Sequence, residues 1–323
     1  MNKDTLYFGI DISKDVFDVT DSKSNHHQFE NNYKGFKQFK KALNEMSHCV
    51  MEATGYYHYK LAYYLQEEGF KVSVENPLSV KRFIQMKLSK IKTDKSDSKL
   101  ICEYAKQVDL KLWKGHSKQQ LECLQIIRTL DVYTKQGTML KNKIHGEVTL
   151  GNPSLAVVRS LKRLLKHLEK EIKDLEEKLL KTVKSTHQDL LTRIKTVPGI
   201  GVKTATTLIV LTDGFERFNS AKELCSYSGL TPIIRQSGSS VNGRSRISKV
   251  GNKKLRNLLF MCSFNACKYN KACKALYDRI VAKGKSKKLA LIAVCNKLLK
   301  QAFAIAKSGL VYDQDYRSAL VKN

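Results

Sequence analysis

Between Leu6 and Glu75 the chain switches repeatedly between two hydrophobic periods, and the order of those switches restricts the fold more than any other feature. Leu6-Tyr7-Phe8-Gly9-Ile10-Asp11-Ile12 reads as a buried strand, and Val16 to Thr20 as a second after the short turn Ser13-Lys14-Asp15. His27 to Glu30 gives a third. Phe36, Phe39, Leu43 and Met46 then recur at helical spacing, followed by a strand at Cys49–Glu52. A Tyr-rich helix (Tyr57, Leu61, Tyr64, Leu65) leads to a strand at 71–75, which Asn76-Pro77 stops before a last helix. Three strands and then helix, strand, helix, strand, helix specify an α/β sheet opened by an antiparallel meander.

That order is the ribonuclease H-like arrangement, in which the first and fourth strands are neighbours and a later helix crosses the sheet. Asp11, Glu52, Asp94 and Asp97 fall at those positions. A carboxylate inside an apolar strand costs several kcal/mol unless paired or metal-bound. Asp94 and Asp97 open a helix in the lysine-rich stretch Lys92 to Leu100, three residues apart on one face. Four such acids can hold two Mg2+ ions about 4 Å apart and clamp a phosphodiester. The ordinary fates are a helix cap with a surface charge for Asp94 and Asp97, and strand-end residues for Asp11 and Glu52. Sugar kinases and actin-like ATPases also open with a Gly-hydrophobic-Asp strand, but they need Gly/Thr-rich phosphate loops, which residues 20–200 lack.

Charge names the partner. The net charge is +28, and it is uneven: residues 1–113 carry 18 Lys+Arg against 15 Asp+Glu, residues 114–323 carry 40 against 15. A polyanion such as DNA or RNA fits this distribution. The 8 cysteines form no CxxC pair and read as buried thiols of a reducing cytoplasm. No signal peptide and no stretch of membrane-spanning length is read, so a soluble cytoplasmic protein is expected.

The middle of the chain is helical, from Gln119 to about Val148 and, after Gly151-Asn152-Pro153, to about Val183. Val158, Leu161, Leu165, Leu168, Ile172, Leu175 and Leu179 form heptads, which predict a coiled coil with either the preceding helix or a second subunit. Val197-Pro198-Gly199-Ile200-Gly201 reads as the turn of a helix-hairpin-helix. Its glycines would let backbone N–H groups approach a phosphate; the alternative is a plain helical turn. Beyond it, 235–256 reads as a flexible loop running into a basic helix start. Candidate nucleic-acid contacts are Gly199, Gly201 and Lys203, then Arg235, Arg244, Arg246, Lys249, Lys253, Lys254 and Arg256. Lys285, Lys287 and Lys288 read as a nucleic-acid face. The expected parts are residues 1–113, a helical coiled-coil middle at 114–190, and a mainly α C-terminal domain at 191–323.

Together these residues resemble the bacterial insertion-sequence transposases of the Asp-Glu-Asp-Asp type, relatives of the pilin-gene inversion recombinase. The likeness rests on Gly9-Ile10-Asp11-Ile12-Ser13-Lys14, Met51-Glu52-Ala53-Thr54-Gly55, Lys92-Thr93-Asp94 with Asp97, and Val197 to Gly201. Tyr227-Ser228-Gly229-Leu230-Thr231-Pro232, Gln236-Ser237-Gly238, Ile247-Ser248-Lys249 and Gly251-Asn252 complete it. The resemblance implies a RuvC-like catalytic domain with Asp11, Glu52, Asp94 and Asp97 as Mg2+ ligands, and a C-terminal domain with Ser237 as nucleophile; Ser239 and Ser240 stand close by. It implies a site composed from both domains, a homodimer or dimer of dimers on DNA, and a structured noncoding RNA as guide. Val250 departs from the family's usual Lys-Arg-Gly-Asn, which leaves one phosphate contact absent or moves it to Arg244 or Arg246. A RuvC-like nuclease or Holliday-junction resolvase, and a nonenzymatic nucleic-acid binder, are the competing functions.

Overall fold

The computed structural model describes residues 5–88, 93–234, 236–237, 241–243 and 246–316, with 236, 237, 241 and 242 by backbone alone. It divides into two compact units, residues 1–116 and 117–323.

The first unit is a mixed five-stranded sheet with helices on both faces. Its strands are β1 (Leu6–Ile12), β2 (Val16–Asp21), β3 (His26–Glu30), β4 (Ser47–Glu52) and β5 (Lys71–Glu75), in spatial order β3-β2-β1-β4-β5. β1, β2 and β3 form the expected antiparallel meander, and β4 and β5 run parallel to β1. The helices are α1 (Tyr33–Lys40), α2 (His58–Glu67), α3 (Pro77–Met86) and α4 (Asp94–Gln107).

The period of two sorts the strand residues. Phe8, Ile10, Ile12, Phe17, Val19, Cys49, Met51 and Val72 share a core with Phe36 and Phe39 of α1 and Leu61 and Leu65 of α2. The opposite face has a small apolar core of Val50, Val80, Ile101 and Ala105 under α3 and α4. Its polar positions include Asp11, Asp18, Glu52 and Glu75. Asn76 caps α3 by accepting from Leu78 N–H at 2.9 Å, and Pro77 occupies the first helical position, where no N–H is required.

The second unit begins with two long helices, α5 (Lys118–Thr149) and α6 (Leu155–Lys195). They pair antiparallel: Lys178 bridges to Glu122 near one end and Lys141 to Glu169 nearer the other. The heptad stripe therefore finds a partner in the preceding helix, with Val158, Leu168 and Leu179 buried. α6 runs past the expected end near 183 because a non-helical residue, His187, bends it without ending it. Leu190, Leu191 and Ile194 then carry its apolar side into the same core as α5.

The helices α7 (Val202–Thr212), α8 (Ala221–Tyr227), α9 (Lys253–Tyr269), α10 (Lys271–Ala282) and α11 (Lys287–Ser308) follow. One hydrophobic cluster joins α5 and α6 to α7, α8, α9, α10 and α11. The segment expected as a flexible loop contains two short antiparallel ladders. β6 (Pro232–Ile233) pairs with β9 (Arg246–Ile247), and β7 (Gln236–Ser237) pairs with β8 (Val241–Asn242). A second correction concerns α11, which is long and apolar enough to cross a membrane by length and composition alone. Here it packs in the interior, with Ala290, Val294, Cys295, Leu298, Leu299 and Ala302 fully buried. All eight cysteines are free thiols, seven of them buried.

Candidate active site

The polar face of the first sheet gathers the acids. Ile10 pairs with Met51, so Asp11 and Glu52 follow one another at the ends of adjacent parallel strands. Asp11 lies opposite Asp18 of β2, and Glu52 opposite Glu75 of β5.

What brings α4 to these strands is Gly9. A Cβ at this position would sit 2.2 Å from Cys102 N and 2.3 Å from Ser98 O, so the helix backbone lies directly on β1 where only glycine leaves room. Thr20 and Ser98 hydroxyls share a buried hydrogen bond of 2.7 Å, and the Cys102 thiol donates to Tyr7 O at 3.4 Å. α4 is thereby fixed over β1 and β2. Its cap is Thr93, whose hydroxyl accepts from Ser96 N–H at 3.1 Å while Ser96 Oγ accepts from Thr93 N–H at 2.8 Å. Neither Asp94 nor Asp97 is needed as the cap. Both stand in the first turn, where the helix dipole favours an anion.

Half-buried Asp11 carries the electrostatic signature of the site. Its pKa rises from 3.8 to about 6, first through burial and then through the carboxylates of Asp97, Asp94, Glu52 and Asp18. Every one of these influences disfavours the ionised form. The four predicted acids therefore share one neighbourhood, yet no three of the described His, Cys, Asp or Glu side chains already stand as ligands of a common ion. The donor chemistry still suits a hard cation: the groups are carboxylate oxygens, and their mutual repulsion is what a divalent ion would neutralise.

Two further acids of this face escape sequence reasoning. Asp18, only 4% exposed, is held by His26 Nε2 at 2.8 Å and by Gln28 Nε2, which donates at 3.2 Å. The tight turn at 13–15 was the available signal, since it sets the register that places Asp18 across from Asp11. Glu75 accepts from the Tyr104 hydroxyl at 3.0 Å; burial and this carboxylate push Tyr104 up to about 12.

Ser237 lies in the second unit, on β7, where its backbone pairs with Val241. Ser239 and Ser240 lie outside the described residues. The segment carrying Ser237 is closed at its base by a backbone clasp. Ser248 N–H donates to Thr231 O at 2.9 Å, Lys249 N–H to Gly229 O at 3.1 Å and Asn252 N–H to Tyr227 O at 2.7 Å. Gly251 has φ 132°, and a Cβ there would lie 2.2 Å from Tyr227 O. The side chain of Asn252 adds a bond to the Tyr227 hydroxyl at 3.1 Å and caps α9 by accepting from Leu255 N–H.

Known transposases match this chain along most of its length. A transposase model of the DEDD IS110 type matches residues 8–153, and the model described as Transposase IS116/IS110/IS902 family matches 191–278. The pilin gene-inverting proteins of Moraxella lacunata and Moraxella bovis are 30% and 31% identical, over 95% of this chain and 98% of theirs. The chain belongs to the IS110 transposase family. The transposase for insertion sequence element IS1111A of Coxiella burnetii is 24% identical over 80% of this chain and 76% of its own.

In this IS110-family transposase, the predicted nucleic-acid contacts divide into two groups. Several are engaged within the protein. Lys203 is paired with Glu176, and Lys254 donates to Ile127 O at 2.7 Å, burial pushing its pKa down. Arg256 Nη1 donates to Ser228 O at 2.7 Å and braces the clasp. At Gly199, which has φ 104°, a Cβ would meet Ala266 of α9 at 2.8 Å, so helix packing alone accounts for that glycine. Lys249, Lys253 and Arg246 are exposed, as is Gly201, the N-cap of α7, where a Cβ would enter open space. Arg235 and Arg244 lie outside the described residues.

Proposed function

We propose that this transposase cuts and rejoins DNA by phosphoryl transfer, with Asp11, Glu52, Asp94 and Asp97 holding Mg2+ and Ser237 as nucleophile. The observation that carries the reading is the seating of α4 on Gly9, which delivers Asp94 and Asp97 to the strand ends bearing Asp11 and Glu52. The strand order β3-β2-β1-β4-β5 supports a RuvC-like, ribonuclease H-like domain for these acids. Bound Mg2+ would supply Lewis-acid stabilisation of the charge that develops on the phosphoryl oxygens. In the protein's own chemistry, Ser237 Oγ gives up its proton and forms a bond to phosphorus as a strand oxygen departs. The departing oxygen takes up a proton, and the phosphoserine keeps the DNA end until a second strand's hydroxyl displaces it.

A homodimer or dimer of dimers working in the cytoplasm, guided by a structured noncoding RNA, completes the proposal. The excess of positive charge in residues 114–323 supports a nucleic-acid partner of either kind. A plasmid carrying the element's two ends, incubated with wild-type, Asp11→Ala and Ser237→Ala proteins, tests the mechanism. Both variants lose recombination, and only a protein retaining Ser237 yields a phosphoserine-linked DNA product on denaturing gels. Strand cleavage that persists in Ser237→Ala would reassign the chain to the resolvase class. Sequencing of RNA that copurifies with the protein tests the guide.

A further inference from the structure

Beneath the β6–β9 ladder lies a cavity of about 820 Å³, formed with α10 and α11. Its walls combine two chemistries. Leu230, Pro232, Ile247, Leu276, Leu289 and Ile292 supply apolar surface, while Arg246, Lys288, Lys297 and Lys300 supply charge. Among the described residues, every charged side chain lining it is a cation. The other large cavity of this unit, between α5, α6, α7 and α9, is different: its lysines 173, 203 and 254 are matched by Asp131, Glu176 and Glu177. Of these two large cavities, the one under the ladder is lined by cations without a matching carboxylate.

We infer that this cavity takes an unpaired nucleotide, its base against the apolar wall and its flanking phosphates on Arg246, Lys288, Lys297 and Lys300. The inference deepens the proposed function, since it presumes a nucleic-acid partner, though not the serine chemistry. Three observations favour this occupant. The volume lies within the range of small-ligand sites, so the concavity admits a single nucleotide where a duplex, being convex, would rest on the rim. Ser286 caps α11 at the edge of the cavity, accepting from Leu289 N–H at 3.3 Å, so the positive end of a 22-residue helix also borders the site. Asn296 adds a polar group on an otherwise apolar floor, its amide donating to Leu230 O at 3.5 Å. The position is suggestive as well. Ser237 follows Pro232 of the wall by five residue steps, at most about 17 Å of extended chain, so a strand crossing Ser237 passes close to the mouth.

The test uses the full-length protein and fluorescein-labelled 12-mers of deoxythymidine and of uridine, with a duplex of equal length, at one fixed salt concentration. Lys300→Glu and Leu289→Ser are compared with Lys307→Glu, which reverses a charge on the same helix away from the cavity. Each of the first two weakens single-strand binding about tenfold or more while Lys307→Glu stays within about twofold, and the loss on duplex is much smaller. A preference between the two 12-mers names the source as a DNA strand or an RNA. Equal losses in Lys300→Glu and Lys307→Glu, or equal losses on duplex and single strand, would overturn the inference. Acetylation footprinting of the wild type gives an answer that needs no variant: single strands protect Lys297 and Lys300 relative to Lys307, and binding without that protection refutes the pocket. Plasmid recombination by the wild type reads the proposed function separately, so an empty pocket in a recombining enzyme removes only the inference.

Discussion

Asp11 shows how a carboxylate set among other carboxylates disturbs the protein that carries it. Its folded pKa of about 6 lies above the ordinary 3.8, so the folded protein binds this proton more tightly than the unfolded chain does. The cost of the ionised group is therefore present above about pH 6 and is relieved as the pH falls through that value towards 4. In metal-free buffer, Asp11→Asn raises the midpoint of thermal unfolding by a few degrees at about pH 7.5, and the gain vanishes by about pH 4.5. Added Mg2+ raises the wild-type midpoint more than that of the variant, because binding to the folded state alone is stabilising. Calorimetry across both pH values checks the pair of effects. An acid in an apolar strand was legible in the sequence because the surrounding residues made it costly. Asp18 and Glu75 were not, since their partners His26, Gln28 and Tyr104 come from pairings between elements that a linear pattern does not display.

At the scale of elements, the contact between β1 and α4 is the joint on which the site depends. Gly9→Ala forces a methyl group against the α4 backbone, a clash with no flexible side chain to yield, and costs about 3 kcal/mol by analogy with severe overpacking. Urea titration is expected to show that loss in the first unit, with recombination abolished although every acid remains in place. Gly9 was read in the sequence only as part of a strand motif; its role becomes visible once the helix is laid across it. The two long helices were the reverse case. Their heptads marked the apolar stripe but left its partner open between the preceding helix and a second subunit, and the stretch of α6 beyond about 183, past the bend at His187 with Leu190, Leu191 and Ile194, was not read. Lys203, Lys254 and Arg256, read from the sequence as nucleic-acid contacts, also have partners within the protein that the linear pattern does not show. Composition counts charges, but it does not reveal which of them already hold Glu176, Ile127 O or Ser228 O.

For the whole molecule, the acids lie in one compact unit and Ser237 in the other. If partner copies share the reaction, an equimolar mixture of Asp11→Ala and Ser237→Ala proteins recovers part of the recombination, since about half of randomly assorted dimers carry one intact acid–serine pair and none carries two. If each chain acts alone, the mixture stays inactive; recombination product per plasmid distinguishes the two. The backbone clasp between 227–231 and 248–252 has a consequence of another kind. Because its bonds run through main-chain atoms and close beneath the ladders, residues 233–246 form an insert whose two ends are held together whatever lies between them. Lengthening such an insert adds little closure entropy once the ends are fixed. The body of the protein can thus stay constant while residues 233–246 are exchanged between relatives like a tool bit.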